Sequence, residues 1–481
     1  MTEPGKKTLA LVVSSGWSVR TFLQTEVLPR LQAEVRLIIL ASPSLVPTLK
    51  ELMDPQIAIE PLQPFDHNRG AYGGIYSRRN YYFRSLGRTQ SRSAKLRRYR
   101  RTLNGRKGAL LRSYLLEAEA RLLASQTTIR SLFKRELEAF YRDYAHLDFY
   151  HDIFERYQPD LILSTVPHVS IEAPPILVGR RLGIKTACWI NSWDNLTTKS
   201  AYFADYDHYF VWSERMRSEL MRYYGKPAAL PITATGVPHF DWYRSPSMQL
   251  SRAEFCKLMG LDPSHPIILY AMATPHLAPA EEVVVKRLAE DLHGGAFKNE
   301  PQLIIRLHPA DDGARLRDHQ FEGSVKVQMP GKAGSGDIFQ YYPSVAENRE
   351  FVNSIRHADV VINLASTITL DASVCDRPVI TVAFDPSPDG RYQPAIDDFH
   401  YKYDHYGTVL QHNAVRVART HEELLAHIGT YLEHPELERQ GRAGLAELWC
   451  GPLDGRSAER LATALIDAVP AKERSRPAIA T

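Results

Sequence analysis

The sequence predicts an α/β protein made of two doubly wound units in series, and three observations point there. Short, almost wholly apolar runs of strand length recur along the chain, among them "TLALVVSS", "EVRLIILAS" and "PIILYAMA". Stretches with helical spacing separate them, which implies parallel sheets covered on both faces. The alternation halts at a Pro- and charge-punctuated stretch, 241–265, and then starts afresh.

In the first unit, 1–240, "TLALVVSS" is a strand and residues 19–32 have helical spacing. "EVRLIILAS" and "QIAIEPL" follow as strands. A basic helical insertion, about 67–157, then intervenes before "PDLILST", a helix over 171–182, "KTACWIN", "HYFVWS", a helix over 214–224 and "PITATG". After the 241–265 linker, the second unit, 266–470, reads "PIILYAMA", a helix over 280–292, "QLIIRLHP" and "VKVQM". A helix near 347–356, "DVVINLA", a helix over 369–375, "PVITVAF" and helices over 422–432 and 458–469 complete it. The tail, 471–481, is expected to be disordered.

A length of 481 residues exceeds one typical core, and 44% apolar with 24% charged residues is ordinary for a globular chain. The first apolar run, 9–13, is strand-sized, and no apolar stretch nears the roughly 20 residues that span a bilayer. A cytoplasmic location is therefore expected. Cys188, Cys256, Cys375 and Cys450 lie far apart and fit no zinc or redox spacing, as inert thiols in a reducing compartment would.

The charge is unevenly placed. Residues 67–116 hold fourteen Lys and Arg and no acid, against +4 for the whole chain, so the remainder carries −10. "AYGGIYSRRNYYFRS" and "KLRRYRRTLNGRKG" mix Arg with Tyr and Phe. A solvated basic hairpin would explain this; so would a surface for an anionic membrane, a phosphorylated acceptor or single-stranded nucleic acid. Composition does not separate these.

Parallel sheets bind ligands at the carboxyl ends of their strands. In the first unit those ends carry Ser14-Ser15-Gly16, Thr165-Val166-Pro167-His168 and Ser192-Trp193-Asp194-Asn195; in the second, Thr274-Pro275-His276, Arg306-Leu307-His308-Pro309 and Ala365-Ser366-Thr367. Polar, His- and hydroxyl-rich ends on apolar strands suggest an active site in a cleft between the units. Ser366 and Thr367 are either helix caps or, with exposed N–H groups, a seat for phosphate. Asp371, one turn on, could accept from ribose hydroxyls. Strand alternation puts Arg306 and His308 on one side, as a pair for a diphosphate or as an ordinary surface histidine. There is no GxGxxG and no GxxxxGK[ST], which disfavours dinucleotide and P-loop sites.

"RLHP", "STITLDA…DRPVI" and, in the first unit, "SWDNLTTKS" with "FVWSERMRSELMRYYG" and "TGVPHFDWY" resemble GT-B fold glycosyltransferases of bacterial surface-polysaccharide biosynthesis. The likeness is to the group with CDP-glycerol glycerophosphotransferases and HP-motif Kdo and sialic acid transferases, over most of the chain from Thr8 to about Ile466. It implies two Rossmann-like domains facing each other across a cleft, with the nucleotide on the C-terminal half. His308, Ser366 and Thr367 would then lie near its phosphates and Asp371 near its ribose, and no metal or other cofactor is strictly needed. The related UDP-GlcNAc 2-epimerases carry an SGG-type turn followed by a Glu pair where this chain has "ASTITLDA", which argues against a simple epimerase.

On this reading Asp194 is the general base of an inverting transfer, with His168 and Glu172 in reserve; the alternative for Asp194 is a self-satisfied Asx turn. Arg306, His308, Ser366, Thr367, Asp371 and His276 are expected on the donor. Ser15, Gly16, Arg20, Glu172, Asn195, Thr197 and Lys199 are expected on the acceptor. The expected partners are a nucleotide-sugar donor, a glycan or lipid-linked acceptor and peripherally the anionic inner face of the cytoplasmic membrane, but no nucleic acid. The alternatives are a CDP-glycerol-type polyol-phosphate transferase, then an epimerase or a nucleic-acid-binding protein.

Overall fold

The computed structural model describes residues 6–87, 89–103, 105–321, 323–330 and 342–470. The 471–481 tail lies outside them. By contacts the chain divides into two units: Met1–Arg88, Arg106–Pro238 and Ala458–Thr481 form one, and Thr89–Gly105 with His239–Ser457 form the other.

The first unit is built on a parallel sheet of β1 (Thr8–Val13), β2 (Arg36–Ala41), β3 (Ala58–Pro61), β4 (Leu161–Ser164), β5 (Lys185–Trp189), β6 (His208–Val211) and β7 (Ile232–Ala234). Their spatial order is β3-β2-β1-β4-β5-β6-β7. The second unit has β8 (Ile267–Ala271), β9 (Gln302–Arg306), β10 (Val325–Gln328), β11 (Val360–Asn363), β12 (Val379–Val382) and β13 (Arg416–Ala418), in the order β10-β9-β8-β11-β12-β13. All pairings are parallel.

The central strands are buried end to end, as β1, β4, β8 and β11 show. Each fully buried Leu, Ile or Val stabilises by about 2 kcal/mol relative to exposure, which is why these strands read as continuous apolar runs rather than alternating ones. Both sheets reverse direction of growth beside their first strand, at β1/β4 and at β8/β11. There the crossovers leave on opposite faces and a crevice opens at the carboxyl ends.

Four expectations need correction. Residues 19–32 are not one helix: a π turn, Val19–Leu23, is followed by a separate helix, Val27–Glu34. The Thr25 hydroxyl donates to Thr21 O and accepts from Val27 N, competing with the helical ladder. The stretch 241–265 is not a plain linker. It carries the helix Arg252–Met259, started by a reciprocal Ser251/Glu254 capping box and ended at Gly260, φ 66°. Strand β13 and the helix Arg439–Cys450 were not anticipated.

The fourth concerns the aromatics of the basic segment. Helix Gly70–Gly87 packs Tyr72, Tyr76, Tyr82 and Phe83 inward. Arg79 is buried with them. Its Nε donates to Glu136 at 2.6 Å, Nη2 to the other carboxylate oxygen at 2.8 Å and to Tyr202 O at 3.0 Å. These rings form a core and do not face a partner.

Candidate functional site

At the mouth of β1/β4 a single carboxylate organises the strand ends. Glu172 is 1% exposed. It accepts from the Ser14 hydroxyl (2.5 Å), the Ser164 hydroxyl (2.6 Å), the Val166 N–H (2.9 Å) and the Thr165 hydroxyl (3.2 Å). Burial pushes its pKa up, while the four donors favour the carboxylate. Glu172 therefore joins β1 to β4 and is too deeply buried to meet an acceptor, contrary to the expectation above. Ser15 is also buried, and its hydroxyl accepts from Ser18 N; Gly16 is buried at the start of the same turn. Arg20 is half-buried in the π turn.

The "SWDNLTTKS" loop follows β5. Trp193 is buried, and Asp194 opens the short helix Asn195–Thr198. The Asp194 carboxylate accepts from the Ser192 hydroxyl (2.7 Å) and the Thr198 hydroxyl (2.7 Å). Asn195 donates to Asn191 Oδ1 at 2.6 Å and approaches His168 Nδ1 at 3.5 Å. The structure thus joins the ends of β4 and β5 through His168 and Asn195, with Asp194 in the same loop. Thr197 is fully buried and donates to Asp194 O (3.2 Å), while Lys199 is half-buried at the helix end. The loop satisfies its own backbone and also holds a carboxylate in one orientation.

In the second unit, β9 ends at Arg306 and the chain turns. There Ala310 N donates to His308 Nδ1 at 3.0 Å, so the imidazole proton sits on Nε2. Burial takes the His308 pKa down to about 4, with Asp311 opposing and His276, Arg306 and Arg315 adding to the fall. The result is a neutral histidine with one N–H to offer. His276, exposed in the loop after β8, belongs to this group.

Arg306 has partners of its own. Its guanidinium donates to Gln328 Oε1 on β10 at 2.5 Å and lies over the Phe351 ring, 4.6 Å from its centre.

The loop after β11 carries Ala365 at φ +44°, a left-handed conformation that strains a residue with a Cβ. It is held from both sides: Ala365 N donates to Thr381 Oγ1 (3.1 Å), and Ser366 N to Asn363 Oδ1 (3.0 Å). Thr381 in turn meets His400 Nε2 at 2.7 Å. Ser366 is half-buried and Thr367 exposed, and the Thr367 side chain does not cap the seven-residue helix Ile368–Val374. Asp371 is 5% exposed and accepts from Tyr243 at 2.7 Å. It has little surface for a ribose and acts as a packing group, which corrects that expectation.

Several residues here escaped the sequence reading. Glu281 is buried, accepts from Ala273 N (2.7 Å), and burial raises its pKa to about 7. Arg315 donates to Asp311 (2.5 Å), Ala278 O (2.9 Å) and Ala273 O (3.1 Å), strapping the loop after β8 to the loop after β9. The i,i+4 spacing of Asp311 and Arg315 was visible, but the carbonyls they reach were not. Between the ends of β8, β11 and β12 an open depression of about 260 Å³ is lined by Glu281, Leu364, Phe384, Asp385 and Tyr392, among others. Among the described residues no group of three or more His, Cys, Asp or Glu could hold a metal ion.

The profile of the family described as CDP-glycerol:poly(glycerophosphate) glycerophosphotransferase matches residues 191–467, from the Asp194 loop through the 239–457 stretch of the second unit. The chain belongs to this family. It is a GT-B-type transferase of the group that builds surface polysaccharides. Among solved structures, UDP-GlcNAc 2-epimerase from Methanocaldococcus jannaschii is 12% identical, with 96% of this chain and 100% of that one covered and a TM-score of 0.53. UDP-GlcNAc 2-epimerase from Neisseria meningitidis bound to UDP-GlcNAc is 11% identical over 96% and 100%, with a TM-score of 0.52. A glycosyltransferase from Rickettsia africae ESF-5 is 10% identical over 96% and 98%, with a TM-score of 0.50. At such identities the likeness is one of fold. No curated protein matches this family member.

Proposed function

We propose that this transferase moves a sugar from a nucleotide-activated donor to a growing surface glycan or lipid-linked acceptor, by direct inverting displacement and without a required metal. The observation that carries it is the β8/β11 switch point of the second unit, where a neutral His308 and the Ser366-Thr367 turn emerge from strands on either side of β8. Two strand spacings separate them by roughly 10 Å, a span suited to a nucleoside diphosphate. His308 Nε2–H and the two hydroxyls would donate to phosphate oxygens, stabilising the charge that develops as the bond to the sugar breaks. Asp194 would take the proton of the attacking acceptor hydroxyl, its carboxylate aimed by Ser192 and Thr198. His168 and Asn195 would orient that acceptor. A lipid-linked acceptor would bring the enzyme to an anionic membrane surface; among the described residues no helix is long and apolar enough to cross one.

The family match favours a second reading, transfer of a polyol phosphate from a CDP-activated donor. The acceptor oxygen would then attack the distal phosphorus and release CMP, with the same base and the same phosphate donors. A nucleic-acid partner is less supported, because Tyr72, Tyr76, Tyr82 and Phe83 are buried and cannot stack on bases.

Thermal shift against UDP, GDP, dTDP, CMP and CDP tests both readings, since a ligand that binds only the folded chain raises its stability. A sugar-nucleotide enzyme with a diphosphate donor should respond to one of UDP, GDP and dTDP, and a polyol-phosphate enzyme to CMP and CDP. Silence to all five at saturating concentration would remove the donor site from the second unit.

A further inference from the structure

Helix Lys107–Leu123 is built inside out. It packs on helix Gly70–Gly87 through Ser113 and Ala120, which are small and buried. Its opposite face carries Leu111, Leu115 and Leu122, at i, i+4 and i+11, and these are 61%, 62% and 84% exposed. Ala118 fills the i+7 position of that stripe and is exposed too. A surface helix normally reverses this arrangement, with leucine inside and polar residues out. Three leucines on one outward stripe mark a face that meets something apolar.

The charges around the stripe identify what it meets. Arg106 at the helix N-cap, Lys107 in the first turn and Arg112 are exposed, and the first turn has no acid. Cations at a helix N-terminus oppose the dipole and cost stability unless an external anion answers them. The helix's own acids give no such answer. Glu117 accepts from Arg121 at 2.6 Å, and Glu119 accepts from Tyr82 at 2.6 Å and pairs with Arg78 at 3.2 Å. A second copy of the chain would bring the same helix, with its acids occupied in the same way.

We propose that helix Lys107–Leu123 lies in the plane of an anionic bilayer surface. Leu111, Leu115 and Leu122 insert among the acyl chains, and Arg106, Lys107 and Arg112 sit at the headgroup phosphates. Exposed Tyr114, on the flank of the stripe, takes the interfacial position that suits a ring with a polar tip. The site differs from the one the sequence suggested: the aromatic residues of helix Gly70–Gly87 stay in the core, and the leucines beyond the basic run make the contact. It deepens the membrane contact of the proposed function but rests on no step of the transfer.

The test is flotation of the full chain with phosphatidylcholine vesicles, with and without phosphatidylglycerol. The wild type should float with the anionic vesicles. Leu111→Ser/Leu115→Ser/Leu122→Ser should weaken that binding about tenfold or more, since each leucine buries several methylene groups. Its melting temperature should hold, because the three side chains are exposed already. Lys107→Glu/Arg112→Glu should remove the preference for anionic lipid. Wild-type protein that ignores both vesicles, or a triple variant that floats as wild type does, overturns the proposal. So does a wild-type dimer in light scattering that the leucine substitutions dissociate, which would make the stripe a self-interface. None of these readings uses transferase activity, so a failed donor assignment leaves this result standing and the reverse also holds.

Discussion

The backbone N–H of Ala310 donates to Nδ1 of His308, two residues back, across 3.0 Å. One short bond thereby sets which nitrogen carries the proton. Lysine or arginine at this position would bring a charge, whereas His308 brings a directed, neutral N–H into a partly dry site. His308→Ala should lower nucleotide affinity by about tenfold, the worth of one hydrogen bond to a charged group. Isothermal titration with the nucleotide that stabilises the wild type measures it, and unchanged affinity would take His308 off the phosphates.

Asp194 is asked to do something different from binding. Asp194→Asn keeps an acceptor for Ser192 or Thr198 but loses the base. Turnover should fall at least about 100-fold, the usual contribution of a general base, while donor affinity stays within twofold. Ser192→Ala/Thr198→Val leaves the carboxylate in place without its guides; a smaller loss with a shifted pH–rate profile is expected. Near-normal turnover in the Asn variant would return the loop to a purely structural role.

The Arg79–Glu136 pair predicts a stability effect with no part in the chemistry. Both side chains are almost wholly buried. Removing one partner strands a charge, so Glu136→Gln or Arg79→Met should each cost about 3–5 kcal/mol in urea unfolding. The double change should cost less than the sum of the two.

His308 and His400 give the stability a pH dependence on the acid side. Burial holds both near pKa 4 in the folded chain, against 6.5 when unfolded. Between those values the unfolded chain binds more protons, so this contribution is complete above pH 6.5 and is lost as pH falls toward 4. His400→Gln should flatten the fall in melting temperature over that window.

Glu281 acts in the opposite direction. Its folded pKa, about 7, lies above the ordinary 4.5, so the folded chain holds the extra proton. The favourable share is complete below pH 4.5 and disappears as pH rises through 7. Glu281→Gln should therefore gain on the wild type in melting temperature between pH 5 and pH 8. A constant difference across that range would mean that the carboxyl is ionised throughout.

Most of the architecture could be read from the chain, for a simple reason. A parallel strand covered on both faces must be apolar at every position, so β1, β4, β8 and β11 announce themselves. The helix Arg252–Met259 was missed: Ser251 and Glu254 spell its capping box, but the prolines on either side read as a linker. Three-residue β13 was missed too, because so short a run has no period to detect.

The strand-end residues were found by position, and the structure sorted them by partner. A sequence places Glu172, Asp194 and Asp371 alike, as acids just past strands. Only packing shows that Glu172 closes a hydroxyl network, that Asp371 is taken by Tyr243, and that Asp194 holds its carboxylate between two hydroxyls. The aromatic and basic insertion divides in the same way. Its composition is local and could be counted, but which face of each helix is covered depends on neighbours distant in sequence. Tyr76 is in the core and Leu122 is exposed for that reason. Periodicity and apolar content belong to the chain itself; burial and hydrogen-bond partners exist only once distant segments meet.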